Sequence, residues 1–580
     1  DESHYFRNES TEMYDKLFRI CSGKRVILVS ATPLNNKPMD ILAQIKLFQN
    51  ARNSTLPNPK VRDLEQFFKD LNKKFNGKNR QDNKEEYMKI VQENAKEIRE
   101  NVLQYLMVRR TRKSIEKYYS KDMEKQGLKF PKVQDPVPVY YKFDDKLDLI
   151  FEETLDIITK KLKYARYAPL LYYVGDELSI TEQSQKNMKG FMKTMLLKRL
   201  ESSFYAFKMS IDRFIGYYEK FIAGCNDGKV YISKKHLSKV FEFQENDNEE
   251  AIEKLINDGK VSWYPVKDFK SEFIGDLKSD LEMLKYIKKL WDKVEEDPKL
   301  DILINILGND KVLKDNKVIL FTESAETADY LERELNPLFD NRVLAFSGTS
   351  DKSLRKKVLE NFEGKSRSKK DDYNILISTE VLSEGVNLHR SNVVINYDIP
   401  WNPSRMMQRV GRINRVDSKF DKIYIYNFFP TAKINDNMGL KEAAEAKIRS
   451  FIEMLGNDAR LLTNEDIKTF DLFSRLNSKE SVVGEEEEDP ELEYLAYLRD
   501  IRDNNKELFD KIKNLPKKSR TSKKYDENYN SLITFFKKGK MRKIYQTTPE
   551  GIKELDFYKA AEILKADIDT KKEKIGADYY

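Results

Sequence analysis

Between residues 318 and 426, five short apolar runs alternate with amphipathic segments, and this alternation limits the possible folds more than any other feature of the chain. The runs are Val318-Ile319-Leu320-Phe321, Val343-Leu344-Ala345-Phe346, Ile375-Leu376-Ile377, Val393-Val394-Ile395-Asn396-Tyr397 and Ile423-Tyr424-Ile425-Tyr426. Each is too short to be a helix and almost free of polar residues, as expected of a strand covered on both faces. Helical spacing of apolar residues fills 325–338 and 354–362 between them. Alternation of this kind predicts a right-handed, doubly wound parallel sheet. Its functional loops then lie at the carboxyl ends of the strands.

A piece of a similar pattern stands near the N-terminus. Arg25-Val26-Ile27-Leu28-Val29-Ser30 lies between Gly23 and Pro33 and predicts a buried parallel strand, followed by a loop over 31–36 and a helix over 39–48. From about 116 to 300 strand patterns become scarce. Residues 192–218 keep helical spacing with no Gly or Pro before Gly216, which predicts one long helix, and 281–307 resumes the same periodicity. Beyond about 440 the pattern is again helical, after an acidic linker over 484–490. The expected division is a partial α/β lobe over 1–115, a large helical insertion over 116–300, a complete second α/β lobe over 301–440 and a helical C-terminal region over 441–580.

Composition narrows the function classes. The 580 residues suffice for three or four domains. No run of eighteen apolar residues occurs, so no membrane span is expected. Two cysteines, Cys21 and Cys225, exclude a disulfide framework or a cysteine-based zinc site and fit a reducing cytosol. Three scattered histidines make a His-rich metal site unlikely on the same grounds. A net charge of +8 permits nucleic-acid binding without requiring it.

Two stretches carry potential chemistry at opposite ends of the α/β pattern. The chain begins Asp1-Glu2-Ser3-His4, an acidic pair suited to holding Mg²⁺ and orienting a water. Much later comes Gln408-Arg409-Val410-Gly411-Arg412-Ile413-Asn414-Arg415. There Arg412 and Arg415 are three apart, and Gln408 is four before Arg412, which predicts one helix face aimed at a phosphate. Surface ion pairs are the bland alternative for such arginines. A carboxylate pair and an arginine pair are the two halves of a nucleotide-hydrolysing site. Ser30-Ala31-Thr32-Pro33, directly after the predicted strand, is either an ordinary turn or a link between such a site and sheet motion.

The order of these motifs, with Thr322 after a strand and Ser378-Thr379-Glu380-Val381-Leu382-Ser383-Glu384-Gly385-Val386-Asn387-Leu388 between them, resembles the superfamily-two helicases and translocases. Within these it is most similar to the Swi/Snf-type branch and its bacterial polymerase-recycling translocases. The branch-specific residues are Thr32-Pro33-Leu34-Asn35-Asn36, Arg109-Arg110-Thr111, Leu196-Leu197-Lys198-Arg199 and Pro400-Trp401-Asn402-Pro403. The resemblance covers about 1–120 and 296–430 well, and the final 130 residues or so not at all. Ser3 and Ser30-Ala31-Thr32 depart from the usual forms of the branch.

The resemblance implies two RecA-like lobes with ATP between them and nucleic acid, chiefly double-stranded DNA, across their tops. Asp1 would then serve Mg²⁺, Glu2 would position the attacking water, and Arg412 and Arg415 would act as arginine fingers. Gln408, Gly385 and His4 would line the nucleotide cleft. Thr32, Thr322, Ser378 and Thr379 would touch or couple to the nucleic-acid backbone, while Trp401 and Asn402 would contact DNA or, for Trp401, pack the hinge. The implied function is an ATP-driven duplex translocase of a bacterial cytoplasm, associated with the nucleoid. A strand-separating DNA or RNA helicase, or a non-catalytic module binding a protein through the insertion or tail, are the alternatives. No G-x-x-x-x-G-K-[ST] loop occurs; Gly364-Lys365-Ser366 lacks the upstream glycine, since position 359 is Leu359. The expectation is therefore an N-terminally shortened enzyme, inactive alone. The basic stretch Lys517-Lys518-Ser519-Arg520-Thr521-Ser522-Lys523-Lys524 is either a phosphate-contacting arm or a solvated linker.

Overall fold

In a computed structural model the described residues are 3–9, 11–30, 38–56, 58–74, 90, 93–94, 96–108, 112–174, 179–232, 262–348, 350–382, 386–398, 403–431, 490–516, 518–524, 531–538, 541–555, 557–567 and 570–575. The chain divides into two compact units, one of 1–107 with 129–485, the other of 108–128 with 486–580.

The first unit opens with helices α1 (Glu12–Cys21), α2 (Pro38–Lys46) and α3 (Leu64–Lys73). Thr11 and Asp63 start the first and third of these by accepting from the backbone N–H three residues on. Leu42, Val61, Leu64, Phe68 and Val102 form a small dry core among them. The expected strand over 25–30 joins no sheet among the described residues, and Ile27 is 89% exposed. A β-branched run becomes a strand only where another extended segment offers it a ladder, and none lies beside it among the described residues.

Helix α4 (Arg112–Lys125) belongs to the second unit. The chain then returns to the first unit and contributes a parallel sheet. Its strands are β1 (Lys132–Val133), β2 (Val137–Lys142), β5 (Val318–Phe321), β6 (Val343–Phe346), β7 (Ile375–Ser378), β8 (Val393–Asn396) and β9 (Lys422–Thr431), with β3 (Lys229–Ile232) and β4 (Ser262–Pro265) forming a separate hairpin. The order is β1-β9-β8-β5-β7-β6, with β2 also on β9, and every pairing in it is parallel. All five predicted strands are present. Their side chains alternate between two cores: Ile319, Phe321, Leu344, Leu376 and Val394 face one, while Val318, Leu320, Ala345, Ile377 and Ile395 face the other. This two-sided burial is why the strands read as unbroken apolar runs.

β1 and β2 correct the expectation of an all-helical insertion, because residues 132–142 are part of the second lobe's sheet. Pro138 hid β2 in the sequence; it is tolerated since β2 is bonded on one side only. Apart from the β3–β4 hairpin, the other described elements of the insertion are helical, chiefly α5 (Asp145–Asp156), α6 (Ser179–Ser202), α7 (Phe204–Asn226) and α8 (Glu272–Trp291). The single helix expected over 192–218 is two. Ser203 breaks it, taking φ −157° and ψ 151° and accepting from Ala206 N–H as the cap of α7. Helices α9 (Pro298–Asn309) and α10 (Ala325–Leu335) cover one face of the sheet through Leu303, Leu307, Ala328 and Leu331. Helices α11 (Lys352–Phe362) and α12 (Pro403–Gly411) place Val358, Phe362, Met406 and Val410 in the core of the other.

In the second unit α4 packs with α13 (Pro490–Asn504), and Arg499 lies 4.9 Å from the Tyr119 ring. Helix α14 (Lys506–Lys513) follows. The expected helical C-terminus instead contains an antiparallel sheet of β10 (Leu532–Lys538), β11 (Met541–Thr548) and β12 (Gly551–Leu555), before α15 (Phe557–Leu564). The lysines hid a strand pattern of β-branched and aromatic residues, in which Pro549-Glu550 forms the turn between β11 and β12. The acidic linker and most of 432–489 lie outside the described residues.

Candidate nucleotide and coupling site

The candidate residues gather at the carboxyl edge of the parallel sheet. β5 lies between β7 and β8, and its end is tied to both. Thr322 N–H donates to Ser378 O at 3.0 Å, and Tyr397 N–H donates to Phe321 O at 3.0 Å. Thr379 N–H donates to Phe346 O at 3.2 Å, which adds β6 to the same edge. Thr322, Ser378, Thr379 and Asp398 therefore converge although Thr322 and Asp398 are 76 residues apart in the chain.

Thr322 and Ser378 are fully buried. The Thr322 hydroxyl donates to Asp398 Oδ2 at 2.6 Å, and the Ser378 hydroxyl donates to Thr379 O at 2.8 Å. Direct contact with a nucleic-acid backbone, one of the two roles expected for them, is closed in this structure by burial and by these bonds. The coupling role is consistent with their position.

Asp398 is the hub of a polar cluster that the sequence reading missed. It also accepts from Ser202 Oγ at 2.7 Å and from Glu323 N–H at 2.7 Å. Lys299 Nζ reaches it at 3.1 Å and donates to the carbonyls of Glu201 and Ser202 at 2.8 and 2.9 Å. Those carbonyls are the unpaired end of α6, so Lys299 caps that helix while neutralising Asp398. Burial pushes the Asp398 carboxyl up, but Lys299 and the donors Thr322, Glu323 N–H and Ser202 outweigh it and hold the group below the usual carboxylate range. The signal was present in the sequence. A carboxylate directly after a buried parallel strand stands where such sheets place their functional groups.

The motif Leu196-Leu197-Lys198-Arg199 reaches the same edge from α6. Lys198 Nζ lies 3.4 Å from Glu323, and Arg199 pairs with Glu326 at 2.8 Å and with Ser324. Arg213 of α7 pairs with Glu326 at 2.7 Å. Burial alone would raise the Glu326 carboxyl, yet Arg199 and Arg213 bring it down to about 2. Both helices flanking the Ser203 break are thus anchored on the start of α10.

The arginine motif divides into two parts. Arg409, fully buried, donates to Glu380 from Nε at 2.8 Å and from Nη2, and to Asn396 Oδ1 from Nη1 at 2.8 Å. Its guanidinium also lies 5.3 Å from the Phe321 ring. It is an internal clamp that joins α12 to the strand ends. Arg405, one turn earlier, pairs with Glu323 at 3.2 Å. Arg412 and Arg415 do not share a helix face as expected, because α12 ends at Gly411 and both follow in the next turns. The chain turns there to bury Ile413. Arg412 N–H donates to Arg409 O at 3.1 Å, and Arg412 O accepts from Leu388 N–H at 2.9 Å. Arg412 Nη1 lies 3.4 Å from Val386 O. The turn is thereby pinned to the segment following Gly385. Arg415 is half-buried and its Nε has no hydrogen-bond partner among the described residues. Gln408 is half-buried on α12.

At the N-terminal end, Ser3 N–H donates to Val29 O at 3.0 Å and Ser3 Oγ to Gln44 at 3.0 Å. This brings Ser3 against Val29, the residue that precedes Ser30. Asp1, Glu2, Thr32, Gly385, Trp401 and Asn402 lie outside the described residues, as does the His4 side chain. Among the described residues no group of three metal-capable side chains occurs, so the Mg²⁺ expectation rests on Asp1. For a phosphate the donors present are suitable: Arg412 and Arg415 in successive turns, with one Arg415 N–H unpaired.

Residues 298–417 match the helicase conserved C-terminal domain. Through this lobe the chain is similar to the superfamily-two helicases. It is 32% identical over 203 residues to the uncharacterised ATP-dependent helicase YqhH of Bacillus subtilis, covering 32% of this chain and 34% of that one. It is 26% identical over 185 residues to the DNA repair and recombination protein RAD54 of Oryza sativa, covering 31% and 18%. It is 29% identical over 137 residues to a probable eukaryotic initiation factor 4A of Trypanosoma brucei, covering 23% and 31%. The chain thus spans about a third, or less, of the length of these relatives. Among solved structures the C-terminal part of the Fun30 ATPase domain matches 60% of this chain and 97% of that one, at 16% identity and a TM-score of 0.29. The helicase match ends two residues after Arg415, so the clamp, the turn and the Asp398 hub all fall within it. No described helix is long and apolar enough to cross a membrane.

Proposed function

We propose that this chain supplies the second lobe, and part of the first, of an ATP-driven motor that moves along duplex DNA. The observation that carries the reading is the geometry around Arg409. Its clamp on Glu380 and Asn396 fixes the start of the turn that presents Arg412 and Arg415 at the carboxyl edge of the sheet. Arginines held there can stabilise charge on a phosphoryl group in flight. In this reading Asp1 holds Mg²⁺, Glu2 orients water, and Gln408 and Gly385 border the nucleotide. Bound ATP supplies the phosphoryl group and the free energy.

The same edge offers a route from nucleotide to motion. Thr322 and Asp398 join the strand ends to α6 through Ser202 and Lys299, while Arg199 and Arg213 tie α6 and α7 to Glu326. Movement of the arginine turn is thereby felt by the insertion. The printed name of the rice relative, a DNA repair and recombination protein, favours DNA, whereas the initiation-factor relative keeps RNA as the competing substrate.

The test uses the intact gene product that contains these residues. Hydrolysis of ATP with Mg²⁺ is measured with duplex DNA, single-stranded DNA or duplex RNA. Stimulation by duplex DNA, with displacement of a third strand but no separation of the duplex, supports the motor. Absence of duplex-DNA stimulation overturns it, and efficient strand separation replaces it with an unwinding helicase.

A further inference from the structure

In the second unit two stretches far apart in sequence are fastened side by side. One is 518–524, Lys-Ser-Arg-Thr-Ser-Lys-Lys, which follows α14; the other follows α15 and includes Lys571-Lys572-Glu573-Lys574. Glu573 N–H donates to Ser522 O at 3.2 Å, and the Ser522 hydroxyl donates to Glu573 O. Lys565 closes the end of α15, its N–H donating to Ala561 O at 2.8 Å, and its carbonyl accepts from Lys523 Nζ at 2.6 Å. That ammonium sits at the negative end of the helix. The stretch 518–524 is therefore tied at two places and is not the solvated linker that its composition allowed.

The fastening concentrates charge of one sign. Residues 518–524 and 571–574 together carry seven Lys or Arg, with Glu573 as the one acidic residue. Lys518, Lys524, Lys571, Lys572 and Lys574 are exposed, and none of them makes an ion pair among the described residues. By contrast Lys16 of α1 and Lys511 of α14 each meet a glutamate one turn away, at 2.7 and 2.8 Å. Holding unpaired cations together costs free energy through their mutual repulsion, and a polyanion laid across them recovers it.

We propose that the joined stretches bind the phosphate backbone of duplex DNA, as a contact separate from the motor lobes. Lysines on phosphates hold a nucleic acid in place without reading its sequence, which suits a chain that must track along it. Neither stretch contains an aromatic residue, so no base can stack there, and this favours a duplex over a single strand. Neither contains a large apolar residue to enter a lipid interface, which disfavours an anionic membrane surface. The choice of DNA over RNA is the one point that rests on the motor reading.

Binding here needs no nucleotide, so the test is equilibrium binding of the full chain, without ATP, to a fluorescent DNA duplex across a salt series. The charge-removed variant combines Lys518→Ala, Lys524→Ala, Lys571→Ala and Lys572→Ala. The charge-keeping variant has Lys→Arg at the same four positions. A control removes equal charge from exposed positions of the insertion, through Lys220→Ala, Lys267→Ala, Lys278→Ala and Lys289→Ala. Loss of two or three phosphate contacts makes the slope of log K against log salt shallower by about 2 and weakens binding roughly tenfold near 0.1 M salt. The charge-keeping variant and the control bind like the parent. Lys571→Glu with Lys572→Glu gives the same direction should the fourfold variant fail to fold. An unchanged slope in the charge-removed chain overturns the proposal, as does equal weakening in the charge-keeping chain or in the control. Equal loss toward a single strand of the same length overturns the choice of a duplex, and tighter binding of the parent to duplex RNA overturns the choice of DNA. Equally tight binding of the parent to vesicles of anionic phospholipid, lost in the same variant, overturns the choice of a nucleic acid. Failure of duplex-stimulated hydrolysis, with this slope change intact, counts against the motor and not against this contact.

Discussion

Replacing Asp398 by alanine tests whether the edge cluster holds the first unit together. The carboxylate is 0% exposed and receives three hydrogen bonds, from Thr322, Ser202 and Glu323 N–H, as well as the Lys299 ammonium. Alanine leaves that ammonium, whose side chain is 4% exposed, with the two helix-end carbonyls, the Glu201 carboxylate at 3.9 Å and the Tyr397 ring at 4.2 Å, but without its nearest carboxylate. Breaking a buried pair from one side costs about 3–5 kcal/mol. The hydroxyls can partly re-pair, since Ser202 Oγ also lies 2.8 Å from Thr327 Oγ1, so their loss is not added on top. A cost of about 4 kcal/mol lowers the melting of a unit of this size by roughly 4 °C. Lys299→Met is milder, because Asp398 keeps its three donors. In the double variant Lys299→Met with Asp398→Ala the cost is smaller than the sum by about 2 kcal/mol. Thermal unfolding followed by circular dichroism reads all three. A shift below about 3 °C for Asp398→Ala, or strict additivity in the double variant, refutes the cluster as a cooperative unit. The pH dependence follows the same logic. The Asp398 carboxyl is held below its ordinary value, so its contribution is complete above about pH 4 and is lost as pH falls through the lower folded value.

Arg409→Lys destabilises by about 3 kcal/mol despite keeping the charge, because an ammonium cannot make the planar fork to Glu380 and Asn396 together; denaturant unfolding checks this. Arg415→Ala shifts unfolding by less than about 1 kcal/mol, while hydrolysis by the intact gene product falls about 10³-fold or more if Arg415 is a finger. Gly364→Ala destabilises for a local reason: a Cβ there would lie 2.2 Å from Nε2 of the buried His389. Overpacking of this kind costs about 1–3 kcal/mol, and His389→Ala in the same chain recovers most of it, which a melting comparison of the single and double variants shows.

The second lobe was readable because its strands are covered on both faces. Four consecutive apolar residues such as Val318 to Phe321 have no other economical place than between two helical layers. Where that condition failed, the reading failed. Arg25 to Ser30 has the same composition, yet a strand is a relation between segments and no partner lies beside it among the described residues. β2 has partners on one side only, carries Pro138, and was taken into the insertion. The Ser203 break was invisible to periodicity, since Met192, Leu196, Phe207 and Phe214 keep helical spacing on both sides of it and all are buried. Only the pair Ser202-Ser203, two short hydroxyl residues in an apolar stretch, marked a possible cap.

The arginine motif shows why spacing alone misassigns roles. Two arginines, Arg412 and Arg415, and Gln408 at helical intervals suggested one ligand-facing row, but the helix ends at Gly411, between Gln408 and both arginines. The helical part then belongs to the protein interior: Arg409 is aimed back at Glu380 and Asn396, and Arg405 at Glu323. The part after the glycine is oriented by backbone bonds to Leu388 and Arg409 and not by helix geometry. A buried guanidinium is costly unless nearly all its donors are paired, so Arg409 has little freedom to serve a ligand as well. Arg415, with an unpaired Nε, does have that freedom. The division gives Arg409 a structural place and leaves Arg415 with a donor to spare. It also means that loss of Arg409 should depress stability and hydrolysis together, whereas loss of Arg415 should depress hydrolysis alone.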